Sequence, residues 1–71
     1  MEARLEPHKV KSIMRPYTGE VSLKFSVDPE EKLTNAVKRM LLYNANRIVV
    51  VKNNFPVGIL QLDDALRKLG L

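Results

Sequence analysis

Seventy-one residues with twelve Lys or Arg, eight Asp or Glu and a net charge of +4 define one small, mildly basic domain. Its 45% apolar content is that of a globular chain, and the absence of Cys excludes a disulfide, a thiolate nucleophile and a Cys-based zinc site. No apolar run approaches the ~20 residues of a membrane span and no charged-then-apolar signal opens the chain, so the expectation is a cytoplasmic protein without a membrane partner.

A chain this short buries only about 60% of the surface its unfolded form exposes. With no disulfide to reinforce it, association with a second copy is an early expectation. The cations are spread along the sequence. Arg4, Lys9, Lys11 and Arg15 form the only loose cluster, diluted by Glu2 and Glu6 and lacking an aromatic neighbour to stack on a base. That argues against a nucleic-acid surface, although a basic surface also attracts a nucleotide phosphate.

In chain order, residues 1–9 read as a flexible lead-in. His8, the one His, lies there beside Pro7 without the partners a metal site needs. Val10, Ile13 and Met14 share one face of a short helical piece, which Pro16 stops. Pro16 also pushes Arg15 toward an extended conformation. Val21, Leu23, Phe25 and Val27 alternate with Ser22, Lys24 and Ser26, which predicts a half-buried strand. Asp28-Pro29-Glu30-Glu31 reads as a helix start: Asp28 can cap, Pro29 suits the first helical position and Glu31 stands where a capping box places a carboxylate. The start can also lie two or three residues later.

Leu33, Ala36, Val37, Met40 and Leu41 follow at the spacing of one helix face. Leu42 and Tyr43 widen the apolar surface. This suits either a helix lying deep in its own sheet or one that also meets another subunit. Asn44-Ala45-Asn46 ends the helix. Ile48 to Val51 is a β-branched run that fits a strand buried on both faces. Asn53 and Asn54 tolerate the positive φ of a tight hairpin. Val57 to Leu60 forms the returning strand. Asp63 and Asp64 suit the opening turn of a second helix with Leu62, Ala65, Leu66 and Leu69 on its apolar face, Arg67 and Lys68 in its last turn and Gly70 as its cap. The order strand, helix, strand, strand, helix makes a small α/β (α+β) layer, a three-stranded sheet covered by two helices.

Four stretches together resemble a CBS domain, over roughly residues 10 to 71. Val10 to Pro16 is similar to the family's lead-in, which ends in Met and Pro. Ser26-Val27-Asp28-Pro29 matches its first ligand motif. Arg47 to Val51 resembles its central strand, with Val49 where Pro is frequent. Gly58 to Asp64 resembles its second ligand motif, with Gln61 in place of Thr or Ser. Such domains usually occur as tandem pairs that bind adenosine-type nucleotides and regulate enzymes, channels and transporters.

The resemblance implies a ligand site. Asp64 would accept hydrogen bonds from both ribose hydroxyls, and Ser26 would offer its hydroxyl to sugar or phosphate. Backbone groups of Val27 and Ile48 would read the adenine edge, with their side chains as apolar walls. Pro29 and Val49 complete the motifs. Gly58 would allow close backbone approach. Gln61 can donate its amide to a phosphate or fill the cleft. The implied ligands are AMP, ADP, ATP or S-adenosyl methionine. One motif is half of a paired module, so the expected partners are a second copy, packed through both helices, and a regulated enzyme or transporter domain.

An enzyme is not expected. Asp63 and Asp64 are adjacent on a helix and do not face each other, and no nucleophile or base accompanies them. The leading expectation is a nucleotide-sensing regulatory module. The alternative is a homodimerisation module with an empty cleft, and a weak salt-dependent nucleic-acid contact through the lead-in is a third.

Overall fold

The computed structural model describes residues 8–19 and 25–70 of the chain. Their elements are a 3₁₀ turn at Val10–Ser12, strand β1 (Ser26–Val27), helix α1 (Leu33–Leu42), strand β2 (Arg47–Lys52), strand β3 (Phe55–Gln61) and helix α2 (Leu62–Lys68). The sheet order is β1-β2-β3. β1 runs parallel to β2 across the α1 crossover, and β2 and β3 form an antiparallel hairpin. This is the α+β layer expected from the sequence. The expected strand from Val21 meets the described residues only at its end, since residues 20–24 lie outside them, as do residues 1–7 of the lead-in.

The β-branched run becomes the central strand. Ile48, Val49 and Val50 are all essentially inaccessible to solvent because β2 is covered on both edges and both faces. Ile48 and Val50 join Val27 and Leu60 under the helices, where Leu33, Ala36, Val37, Met40 and Ala65 complete the core. The hairpin turns on Asn53 and Asn54, with φ of 53° and 70°. Positive φ at both central residues is the turn that matches strand twist. β3 begins at Phe55, earlier than the apolar run at Val57 indicates. Val50 pairs with Gly58 and Val51 with Pro56, so Val57 is the extra residue of a bulge. Pro56 can stand in the strand because a bulge on an outer strand spares its missing N–H.

The first helix begins at Leu33 and not beside Asp28. The lead-in explains why. His8 O accepts from Leu33 N at 2.7 Å, Val10 N donates to Glu31 O at 3.0 Å and Lys11 N donates to Pro29 O at 3.0 Å. Residues 29–33 are thus held against residues 8–11 and cannot wind up. Asp28 instead closes a turn, accepting Glu30 N on its side chain at 2.8 Å and Glu31 N on its carbonyl at 3.0 Å.

At the other end, Ala45 N donates to Met40 O at 2.8 Å and Asn44 N to Leu41 O at 3.2 Å, with Asn44 at φ 56°. That is a Schellman stop with Asn in the left-handed position. Of the expected apolar face, Leu41 lies outside the core and is 61% exposed. Gly70, at φ 81°, ends α2 as its spacing suggests.

The lead-in also covers the free edge of β3. Arg15 N donates to Ile59 O at 2.7 Å and Ile59 N to Arg15 O at 2.8 Å, a one-residue antiparallel bridge. It passes over Gly58. A Cβ at that position would stand 2.8 Å from the Arg15 carbonyl oxygen and 2.9 Å from the Met14 sulfur. Gly58 is therefore required by the close passage of the lead-in.

Candidate functional site

The eight residues singled out from the sequence gather around the strand ends but do not share one surface. Ser26 and Val49 are register partners, as are Val49 and Ile59, so these three share the sheet face away from the helices. Val27, Ile48 and Gly58 belong to the helix side, where the Val27 and Ile48 side chains are core. Pro29 is buried in the Asp28 turn. The Ser26 carbonyl is engaged, accepting from Arg39 Nη1 at 2.9 Å.

Gln61 and Asp64 flank the junction of β3 and α2, on different concavities. Gln61 is the residue before the helix and lines a hollow of about 310 Å³ with Asn46, Arg47 and Asp63. Asp64 lies in the first turn of α2 and lines a hollow of about 300 Å³ with Ile13, Arg67 and Lys68. Both volumes lie at the lower end of the usual range for small-molecule sites.

Asp64 is the most constrained polar group of this region. Its side chain is 13% exposed, and both carboxylate oxygens are taken by one guanidinium: Arg15 Nε donates to Oδ2 at 2.6 Å and Nη2 to Oδ1 at 3.1 Å. Arg67 Nη1 stands a further 3.8 Å from Oδ1. The hydrogen bonds from Arg15, aided by its charge and that of Arg67, hold the Asp64 carboxyl below its ordinary pKa. The same pair raises Arg15. Asp64 is therefore an ionised acceptor at neutral pH.

Arg15 is the residue that the sequence does not reveal as part of this site. Forty-nine positions separate it from Asp64, and no motif joins them. The only local sign is Pro16, which favours the extended backbone that bridges Ile59. Asn46 and Arg47 beside Gln61 are similarly invisible to spacing alone. Among the described residues no cluster of His, Cys, Asp or Glu could hold a metal ion.

With this arrangement established, the chain compares directly with known proteins. The family model of the CBS domain matches residues 10–71, and the chain belongs to the CBS-domain family. The solved CBS domain of a CBS-domain-containing membrane protein from Sphaerobacter thermophilus superposes with a TM-score of 0.58 at 30% identity, covering 62% of this chain and 27% of that one. The CBS domains of a transcriptional regulator from Streptococcus pneumoniae superpose with a TM-score of 0.56 at 23% identity, covering 61% of this chain and 37% of theirs, and share the fold. The match thus spans between about a quarter and two fifths of those chains. No curated protein matches this sequence. CBS domains commonly form regulatory modules and are generally not catalytic.

Proposed function

We propose that this chain is a non-catalytic regulatory module that binds an adenosine-type nucleotide between two paired copies and passes that signal to a partner domain. The observation that carries the reading is Asp64: an ionised carboxylate, largely covered yet opening on a hollow, within the Gly58 to Asp64 motif of a CBS domain. A charged acceptor of this kind suits a pair of ribose hydroxyls. Gln61, in the neighbouring hollow, is the other proposed side-chain contact; Ser26, the Val27 and Ile48 backbone, Pro29, Val49 and Gly58 are proposed from the family motifs alone, since in one copy they lie on other surfaces. A second copy packed on the helices would deepen hollows that are shallow in one copy, and cytoplasmic location belongs to the same proposal.

The test is a thermal-unfolding series with AMP, ADP, ATP and S-adenosyl methionine at fixed protein concentration. At a hundredfold excess over the dissociation constant a ligand stabilises by about 2.7 kcal/mol, a shift of several degrees in a chain of this size. Asp64→Ala should abolish the shift. No shift with any of the four in the native sequence rejects the nucleotide.

A pure homodimerisation module is the second reading, and one observation favours it. Leu41 and Leu42, at 61% and 77% exposed, form an apolar end to α1 that the chain's own core leaves uncovered. In that case sedimentation gives a dimer whose melting is indifferent to all four ligands.

A further inference from the structure

The bidentate Arg15–Asp64 pair has an uneven environment. The Asp64 side chain is 13% exposed, whereas that of Arg15 is 55% exposed. The guanidinium therefore sits on the solvent side and can leave with little change in its hydration. Asp64 cannot be left bare, because a mostly covered carboxylate requires replacement donors. The Arg15 backbone is fixed independently by its two hydrogen bonds to Ile59. The side chain can thus rotate away without moving the lead-in. Charge is also unbalanced here: one carboxylate faces Arg15, Arg67 and, in the same hollow, Lys68.

Resting on the nucleotide reading, we propose that Arg15 is the residue that makes this site prefer a nucleoside phosphate over the nucleoside, by moving from Asp64 to the phosphate when ribose hydroxyls take its place. A nucleoside alone must exchange two hydrogen bonds between oppositely charged groups for two from neutral hydroxyls, in which only the acceptor is charged, and it strands the guanidinium. A nucleotide brings its own anion. The planar fork that grips a carboxylate grips a phosphate equally well, so the displaced Arg15 recovers a bidentate partner. Arg67 and Lys68 supply the remaining positive field but lack this exchange.

The experiment is titration calorimetry of AMP and adenosine against the native chain, Arg15→Gln, Arg15→Lys and Asp64→Asn. The native chain should prefer AMP. Arg15→Gln should reduce the AMP-over-adenosine ratio about tenfold, chiefly by weakening AMP, with adenosine unchanged or tightened because its competitor is gone. Arg15→Lys should fall between, since an ammonium keeps the charge and loses the fork. The Ile59 amide should stay protected from hydrogen exchange in Arg15→Gln, which shows that the lead-in is still seated. An unchanged ratio in Arg15→Gln, with AMP binding lost in Asp64→Asn, overturns the role of Arg15 and leaves the nucleotide reading standing. No binding of either ligand by any of the four chains overturns both.

Discussion

Among the described residues two carboxylates fix the lead-in to the rest of the chain by ionic hydrogen bonds, Glu30 at the surface and Asp64 largely covered. Glu30 accepts from Lys11 Nζ at 2.7 Å and from Lys9 Nζ at 3.0 Å. The Lys11 bond first, then that of Lys9, draws the Glu30 carboxyl down from 4.5 to about 2. A carboxyl depressed on folding contributes stability that is complete above its unfolded pKa and is lost as pH falls through the folded one. For Glu30 that window runs from 4.5 down to about 2. Asp64 is shifted in the same direction by Arg15 and adds to the same acid limb. Glu30→Gln should therefore lose a little stability at pH 7 and show a shallower decline toward pH 3, measured by urea unfolding at several pH values. A decline as steep as that of the native chain would place the acid sensitivity elsewhere. Glu30 and its two Lys partners are exposed enough that screening by salt keeps their part of the effect small.

The elements show where local pattern decides and where it is overruled. The hairpin, the central strand and both helix ends follow from residue type alone: Asn53 and Asn54 supply left-handed backbone, Val49 and its neighbours favour extended chain, and Asn44 and Gly70 stop helices. The start of α1 does not follow. Asp28-Pro29 is a good local start, but the Asp28 turn and the pairing of residues 29–33 with residues 8–11, which leaves Lys32 extended, delay the helix to Leu33. Gly58 shows the same dependence on distant chain. Gly58→Ala places a Cβ against the Arg15 carbonyl, which is backbone and cannot step aside alone. The substitution should destabilise by about 1–3 kcal/mol, as overpacking does. It should also release the bridge, so that the Ile59 amide exchanges faster while those of Val49 and Val50 in the central strand change only with global stability.

At the scale of the molecule, the apolar surface is unevenly distributed. Leu41 and Leu42 project from the end of α1, and Phe55 is 70% exposed at the hairpin. Tyr43, expected from the sequence to belong to the same uncovered surface, is partly used within the chain, its ring stacked on Phe25 with centroids 4.1 Å apart. If the proposed pairing runs through the helices, Leu42→Glu should weaken it about tenfold or more, as seen by sedimentation across a concentration series. The protomer itself should be affected by no more than about 0.5 kcal/mol, because Leu42 is 77% exposed and contributes nothing to the core. A dimer unaffected by this change would move the interface off the α1 end.

The sequence by itself determined the order of elements, the buried central strand, the turn residues and membership of a family whose motifs can be read in four separate stretches. These are properties of neighbouring residues, set by side-chain shape, backbone preference and periodicity, and they survive without knowledge of the fold. Only the tertiary structure decided that the lead-in closes the β3 edge, that Gly58 accommodates it, that Gln61 and Asp64 open on different hollows, and that Arg15 holds Asp64. Each of those depends on two segments far apart in the chain arriving within a few ångströms, and hydrogen bonds and steric exclusion act only at that range.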